Sequence, residues 1–433
     1  MRGRRPPSTG MRAGLVAELT RLAADAVADQ RVERALSPSG ADERRVVHRV
    51  VRRHLGQLAA DDVVAGDVPM SLDDEQALLD ATLDAVLGLG RLQRLLDDPD
   101  ITDIHVRGCE AVWIKRRDGR RECVAPVVDH DDELVDLVRH VGGRLLTGER
   151  RFDAAQPELN AQLPDGSRLF ATMAISARPA LVIRRHRFEL SDLAELMQRD
   201  MMSPRLASFL AAAVRARRNL VIAGGTGSGK TTLMRALLNE VPSTERIVTI
   251  EDAYELGIDR FADRHPDHDM LQARPANIEG RGAVTLLDLT RLALRMDPDR
   301  VVVGEVRGGE AFALLMAMSQ GNNGSMATIH ADSSRSVLSK LAAYAALAGT
   351  GLPTETVNQL LAGAVHLVVH IEHAQGCRRV RSVREVAGAD GLQIATNEVW
   401  SPGPTGAALP AYPLREATLS MLLDHGYDPE SRL

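Results

Sequence analysis

The stretch Asn219-Leu-Val-Ile-Ala-Gly-Gly-Thr-Gly-Ser-Gly-Lys-Thr-Thr-Leu-Met-Arg-Ala-Leu-Leu238 constrains this chain more than any other. It opens as a short apolar strand, breaks into a glycine-rich loop and resumes as a helical pattern. Between Gly224 and Thr231 the loop has the spacing G-x-x-x-x-G-K-T. Gly224, Gly225, Gly227 and Gly229 let the backbone curl around Thr226 and Ser228, so that successive N–H groups converge. The helix that follows adds its positive end. Such a loop cradles a phosphate chain, with Lys230 reaching the β- and γ-phosphates, the Thr231 hydroxyl placed to ligate Mg²⁺, and Thr232 next to it. An ordinary strand-turn-helix is the competing reading. Lysine usage weighs against it, because the only lysines are Lys115, Lys230 and Lys340, and one falls where the loop needs it. A nucleoside triphosphate is the expected ligand.

At 433 residues the chain exceeds one typical domain, and two or three are expected. Hydrophobic and charged contents of 44% and 26% are those of a soluble globular protein. A net charge of −6 gives no global reason for a nucleic-acid partner, and none is expected. Cys109, Cys123 and Cys377 lack metal-type spacing and read as buried small residues of a reducing cytosol. No apolar run approaches the roughly 20 residues that span a bilayer. Arg2, Arg4 and Arg5 lead into Pro6-Pro7 and not into the core of a signal peptide. The chain is expected in the cytoplasm, touching the membrane only through partners.

Apolar spacing predicts a helix from Met11 to about Leu36 and another from Ala41 to about Leu58, both crowded with charge. They read as a peripheral extension over residues 1–65, with the first ten residues disordered and Asp61–Pro69 a linker. A helix over Ser71–Leu87, strand-like runs at 101–106, 111–115 and 121–125, a helix over Asp131–Arg144 and three more strand-like runs up to Arg185 suggest an α+β domain at 66–187. Residues 188–203 read as a connector with a short helix. From 204 to 400 strands and helices alternate, as in a largely parallel sheet with covering helices. A Pro/Gly-rich tail with one short helix fills 401–433.

In that second half, Ile247–Ile250 ends at Glu251-Asp252, Arg300–Gly304 ends at Glu305, and Ser325–Ile329 ends at His330. Ligands of open α/β sheets bind beyond the carboxyl ends of the strands, where the glycine loop also sits. Glu305 fits a Mg²⁺-holding acid opposite Thr231. Its rivals Asp297 and Asp299 precede the strand, which places them roughly 15 Å away. Glu251, or alternatively Asp252, could orient the attacking water. A capping or surface carboxylate is the plain alternative for either. His330 could bond the terminal phosphate, although a lone histidine after a strand is ordinarily structural. Arg168, Arg184 and Arg185 lie in the preceding domain and could reach a neighbouring subunit's nucleotide; most arginines here are solvated surface residues.

Taken together these residues resemble the type II/IV secretion ATPase superfamily. The ordered matches are Gly224–Thr231, Thr249–Asp252, Arg274–Gly280, Leu292–Arg300, Val303–Arg307 and Gly324–Ala331, with looser ones at Leu95–Ile104 and Leu163–Arg168. The likeness spans roughly residues 71–400 and is nearest the CpaF-like, Tad/Flp pilus branch. It implies a homo-hexamer whose subunits pair an N-terminal α+β domain with a RecA-like ATPase domain, ATP lying between. By motif position it makes Glu251 the catalytic carboxylate, Glu305 the Walker B acid and His330 the His-box histidine. Arg168, Arg184 and Arg185 become candidate arginine fingers. Two positions depart from the pattern: Asn322 follows Gly321 where Gly-His is usual, and Arg91 follows Gly90 where Gly-Pro is usual. The expected protein is an α/β, RecA-like ATPase powering pilus assembly or secretion through inner-membrane platform proteins. A DNA-translocating motor and a non-catalytic nucleotide-binding regulator are the alternatives.

Overall fold

The apolar residues spaced along the first two charged helices find a shared core. In the computed structural model, which describes residues 9–34, 40–145, 151–163, 165–185, 192–277, 279–374 and 376–432, the chain divides into two compact units, Met1–His186 and Arg187–Leu433. The first eight residues, Pro164, Gln375 and the connector's start at 186–191 lie outside the described residues.

In the first unit, helices α1 (Thr9–Arg34), α2 (Gly40–Ala65) and α3 (Leu72–Val86) bury Leu19, Ala23, Val47, Val51, Leu78 and Leu79 together. A buried Leu or Val is worth about 1.5–3 kcal/mol, so this stripe is enough to join the charged helices to α3. The expected peripheral pair is therefore part of a packed helical cluster. The linker expected at Asp61–Pro69 is helical as far as Ala65. Ser71 caps α3, its hydroxyl accepting the Asp74 N–H, and Asp73, Asp74 and Glu75 face the positive helix end.

A 3-10 turn at Gly90–Leu92 and α4 (Gln93–Asp97) lead into β1 (Ile101–Arg107), β2 (Ala111–Arg116) and β3 (Arg121–Val124). Arg91, the departure from Gly-Pro, forms a two-pronged pair with Asp129 at 2.9 and 2.6 Å. Helix α5 (Asp131–Leu145) and strands β4 (Glu158–Gln162), β5 (Arg168–Thr172) and β6 (Ala180–Arg184) complete an antiparallel sheet of order β3-β2-β1-β6-β5-β4. Alternation sends Ile104, Val106, Ile114, Leu169, Leu181 and Ile183 into a core shared with Leu134 and Val138 of α5. The other face carries the polar residues of the same strands together with exposed Trp113, Val182 and Phe170.

The second unit opens with α6 (Leu193–Gln198), whose Leu193 and Leu196 are buried beside α7 (Pro204–Arg215). The end of the expected connector is thus folded onto this unit. Strand β7 (Leu220–Gly224) passes through the glycine loop into α8 (Lys230–Leu238). Then come β8 (Ile247–Glu251), β9 (His268–Gln272), α9 (Leu286–Ala293), β10 (Arg300–Val306), α10 (Glu310–Ser319) and β11 (Met326–Ile329). Helices α11 (Ser336–Ala346) and α12 (Thr354–Ala364) precede β12 (Leu367–Ala374) and β13 (Cys377–Asp390). Strands β14 (Gln393–Pro402) and β15 (Ala408–Pro410) and helix α13 (Glu416–Asp424) end the unit.

The nine-stranded sheet has the order β15-β14-β13-β12-β7-β11-β10-β8-β9. Strands β12, β7, β11, β10, β8 and β9 run parallel, and β13 to β15 extend the sheet antiparallel. Because both faces are covered, the central strands are apolar throughout. Leu220 and Ile222 enter a core with α7, α8 and Trp400, whereas Val221 and Ala223 enter one with α9 to α12. This is the RecA-like α/β arrangement that the motifs imply. The tail is packed as well, since Leu422 of α13 is fully buried and Tyr427 meets Phe209 edge-on. Cys123 and Cys377 are exposed at strand ends, contrary to the buried reading, and all three cysteines are free.

Candidate active site

Parallel register decides which polar residues meet. Ala223 pairs with Ile329, Val303 with Ala327 and Val303 with Ile250, so β7, β11, β10 and β8 end on one edge. There the loop from Gly224 to Thr231 closes tightly. A Cβ at Gly224 would lie 2.4 Å from the Ile371 carbonyl oxygen and 2.6 Å from Ser228 Oγ, so only glycine fits. Gly229, at φ 102°, takes the left-handed turn that starts α8.

Lys230 is buried, and its Nζ donates to the carbonyls of Gly224 (3.1 Å) and Gly225 (2.9 Å) and lies 3.3 Å from His330 Nδ1. Burial lowers its pKa, and the charge of Glu305 partly offsets that fall. Because the ammonium can only donate, it selects the His330 tautomer protonated at Nε2. That nitrogen stands 2.6 Å from Glu305 Oε1. Glu305 Oε2 accepts from Arg307 Nε at 2.9 Å, and Arg307 Nη1 donates to Asp252 at 2.6 Å. A continuous chain of charge thus runs Lys230–His330–Glu305–Arg307–Asp252. Arg307 closes the Val303–Arg307 motif, and its place two residues beyond Glu305 is the sequence signal for it.

Glu305 Oε1 is buried and has no aligned hydrogen-bond donor despite the nearby ring. A carboxylate oxygen left in that condition, on the edge where the Thr231 hydroxyl begins α8, fits the needs of a hydrated Mg²⁺. Ser228 Oγ is likewise buried and unpaired at the loop.

Glu251 stands apart from this chain. It is buried, its Oε1 accepts the N–H groups of Glu255 and Leu256 at 2.9 Å each, and its Oε2 has no partner. Burial pushes its pKa up to about 7, with the two N–H bonds opposing the rise. Gly304 lies against it, where a Cβ would come within 3.0 Å of Glu251 Cγ. Arg235 of α8 donates to the Glu255 carbonyl at 3.0 Å, tying the glycine-loop helix to the turn that holds Glu251. Asp252, the alternative base, is occupied by Arg307.

Asp299 is at the other end of β10, accepting the Arg246 N–H at 2.9 Å, and Asp297 is in a left-handed turn beside it. Asn322 is also at that far end, where its amide donates to the Pro298 carbonyl at 2.5 Å. It therefore cannot substitute for a histidine beside His330. In the first unit, Arg168 and Arg184 are register partners on the outward sheet face, in one row with Lys115, Arg121 and Asp103. Arg184 Nε lies 3.6 Å from Asp103. Arg185 differs: it donates to the carbonyls of Asp98 (2.5 Å) and Ile101 (3.3 Å), holding the turn before β1.

Residues 86–400 match the family model described as type II/IV secretion system protein. The chain belongs to that family. Among relatives, a protein of Mycobacterium tuberculosis named for conjugal transfer is 38% identical over 323 residues, covering 72% of this chain and 88% of its own. The type IV secretion system protein PtlH of Bordetella pertussis is 34% identical over 347 residues, with coverages of 74% and 97%. The crystal structure of the VirB11 ATPase of Brucella suis in complex with sulphate is 31% identical and covers 68% of this chain and 95% of that one. Its TM-score is 0.37, so the kinship rests on sequence and not on superposition. As a member of this family the chain is an ATP hydrolase of the type II/IV secretion class. Helices α1 and α2 precede the matched residues.

Proposed function

We propose that the protein is a hexameric, Mg²⁺-dependent ATPase that drives Tad/Flp-type pilus assembly by pulling on inner-membrane platform proteins from the cytoplasmic side. The observation that carries this reading is the charge chain from Lys230 through His330, Glu305 and Arg307 to Asp252 on the glycine-loop edge. It links the phosphate-holding lysine to Glu305, the acid placed for Mg²⁺, while Glu251 ends the next strand on the same edge. No helix among the described residues is long and apolar enough to cross a membrane.

The loop amides and Lys230 bind the phosphate chain. Thr231 and Glu305 would hold Mg²⁺, which supplies positive charge to the transferring phosphate. Glu251, with its pKa raised to about 7, is suited to take a proton from the attacking water near neutral pH. His330, standing between Lys230 and Glu305, is placed to bond the terminal phosphate and report its loss on hydrolysis. Arg168 and Arg184, paired on one sheet face, are the candidate fingers for a neighbouring subunit's nucleotide. Arg185, committed to main-chain carbonyls, holds a turn in this reading.

Subunit mixing tests the ring. Lys230→Ala lacks its own phosphate grip, and Arg168→Ala/Arg184→Ala lacks the proposed fingers. Each alone should be nearly inactive, and mixed rings should regain part of the rate. No recovery in mixed assemblies of confirmed six-subunit size would sink the trans-acting arginines. The names of PtlH and VirB11 favour substrate secretion as the second reading. Neighbouring genes for two small multispanning membrane proteins and a pilin-like precursor would decide for the pilus.

A further inference from the structure

The hydrolytic groups all approach the glycine loop from one flank. His330, Glu305 and Glu251 end strands β11, β10 and β8, which follow one another on one side of β7. On the other side, β12 pairs with β7 up to Ile371 opposite Gly224 and then runs on past the loop. Its return strand β13 brings Arg378 back opposite His373. Arg378 Nε donates to the Gly227 carbonyl at 3.0 Å, and its Cδ would lie 3.4 Å from a Cβ at Gly229. The side chain thus lies across the glycine loop. It is exposed, and its terminal nitrogens Nη1 and Nη2 have no hydrogen-bond or ion-pair partner among the described residues.

A guanidinium anchored through Nε presents its remaining donors as a fork, the geometry that suits phosphate oxygens. The terminal phosphate must face His330, Glu305 and Glu251, so the opposite flank faces the remainder of the nucleotide. We propose that Arg378 is a nucleotide-binding residue that grips the phosphates shared by ATP and ADP. The proposal rests on the reading of Gly224–Thr231 as an ATP site. Arg378 belongs to none of the sequence motifs and reaches the loop only because β13 turns back over it.

Equilibrium binding of ATP and of ADP to the full-length protein tests this, with steady-state hydrolysis beside it. Arg378→Ala should weaken both nucleotides alike, by about tenfold for a charge-assisted phosphate contact. The rate at saturating ATP should stay within about twofold. Arg378→Gln retains a neutral donor for the Gly227 carbonyl but loses the charge, and should bind as weakly as Ala. Arg378→Lys should recover part of the loss. Wild-type binding by the Gln variant would overturn the proposal, leaving Arg378 a strap for the loop. A loss confined to ATP would overturn it by placing the residue at the terminal phosphate. If the wild type binds and hydrolyses ATP while every variant matches it, this inference alone fails. If the wild type binds no nucleotide, the ATP-site reading fails first.

Discussion

The two ends of the nine-stranded sheet both carry buried charge, and they treat it in opposite ways. At the start of β10, Arg300 is fully buried and meets Glu245 through two hydrogen bonds at 2.7 and 3.1 Å. Its remaining nitrogen donates to the carbonyls of Val214 (2.9 Å) and Gly324 (3.3 Å). Even the backbone is fitted to it, because a Cβ at Gly324 would lie 2.7 Å from Arg300 Nη1. At the other end of the sheet, Glu251 Oε2 and Ser228 Oγ are buried without hydrogen-bond partners, and buried Glu305 Oε1 faces only the His330 ring. Lys230 is held by carbonyls of its own loop. Burying a polar atom unpaired costs free energy, so a fold keeps such atoms where a ligand completes them. The far end holds the sheet together, and the near end is shaped for something else to bind.

That contrast can be broken at either end. Arg300→Met leaves Glu245 facing a site built for a guanidinium and should cost about 3–5 kcal/mol in denaturant unfolding. Adding Glu245→Met should recover most of that loss if the pair is structural. Next in size, Lys230→Ala should lower ATP hydrolysis on the order of 10²–10³-fold while leaving the unfolding midpoint near that of the wild type. A loss of stability in place of activity would make the two ends alike.

Glu251→Gln should reduce the hydrolysis rate by roughly 10²-fold. In the wild type the rate at saturating ATP should rise with pH through about 7, because the carboxyl acts as a base only once ionised. That acid limb should vanish in the Gln variant. Stability moves with the opposite sign. A carboxyl raised from 4.5 to about 7 is favoured neutral by the fold, so its ionisation costs stability as pH climbs from the unfolded value through the folded one. Glu251→Gln should therefore gain stability over wild type at pH 8 and little at pH 5. The smallest effect belongs to Asn322→His. At the far end of the sheet it should change hydrolysis by less than about twofold, and a larger gain would mean that this edge also reaches the nucleotide.

Much of the near end was legible because its residues directly follow apolar strands. Gly224–Thr231, Glu305 and His330 each close such a run, and a parallel sheet brings such closures to one edge. Arg307 was visible as a residue but not as a bridge, since its role depends on Asp252, 55 positions earlier in the chain. Arg378 was hidden because its approach to the loop depends on the turn between β12 and β13, and no local pattern reports that. The helical cluster at the start looks like an appendage in sequence because the charge on α1 and α2 masks a narrow apolar stripe that only α3 completes. Strand β9 carries no strand signal in the sequence because its half-buried, mixed residues lack the alternation of a sheet with one wet face. Arg185 looked equivalent to Arg184 in sequence, yet one residue of strand phase turns it toward main-chain carbonyls.

The most direct test of the near end as the ligand-completed one is thermal unfolding with and without MgATP. A ligand that binds only the folded chain stabilises it by about 2.7 kcal/mol at 100 times its Kd. MgATP should raise the wild-type midpoint, raise that of Arg300→Met by a similar amount from a lower start, and leave Lys230→Ala unmoved. A full MgATP shift surviving in Lys230→Ala would contradict the account.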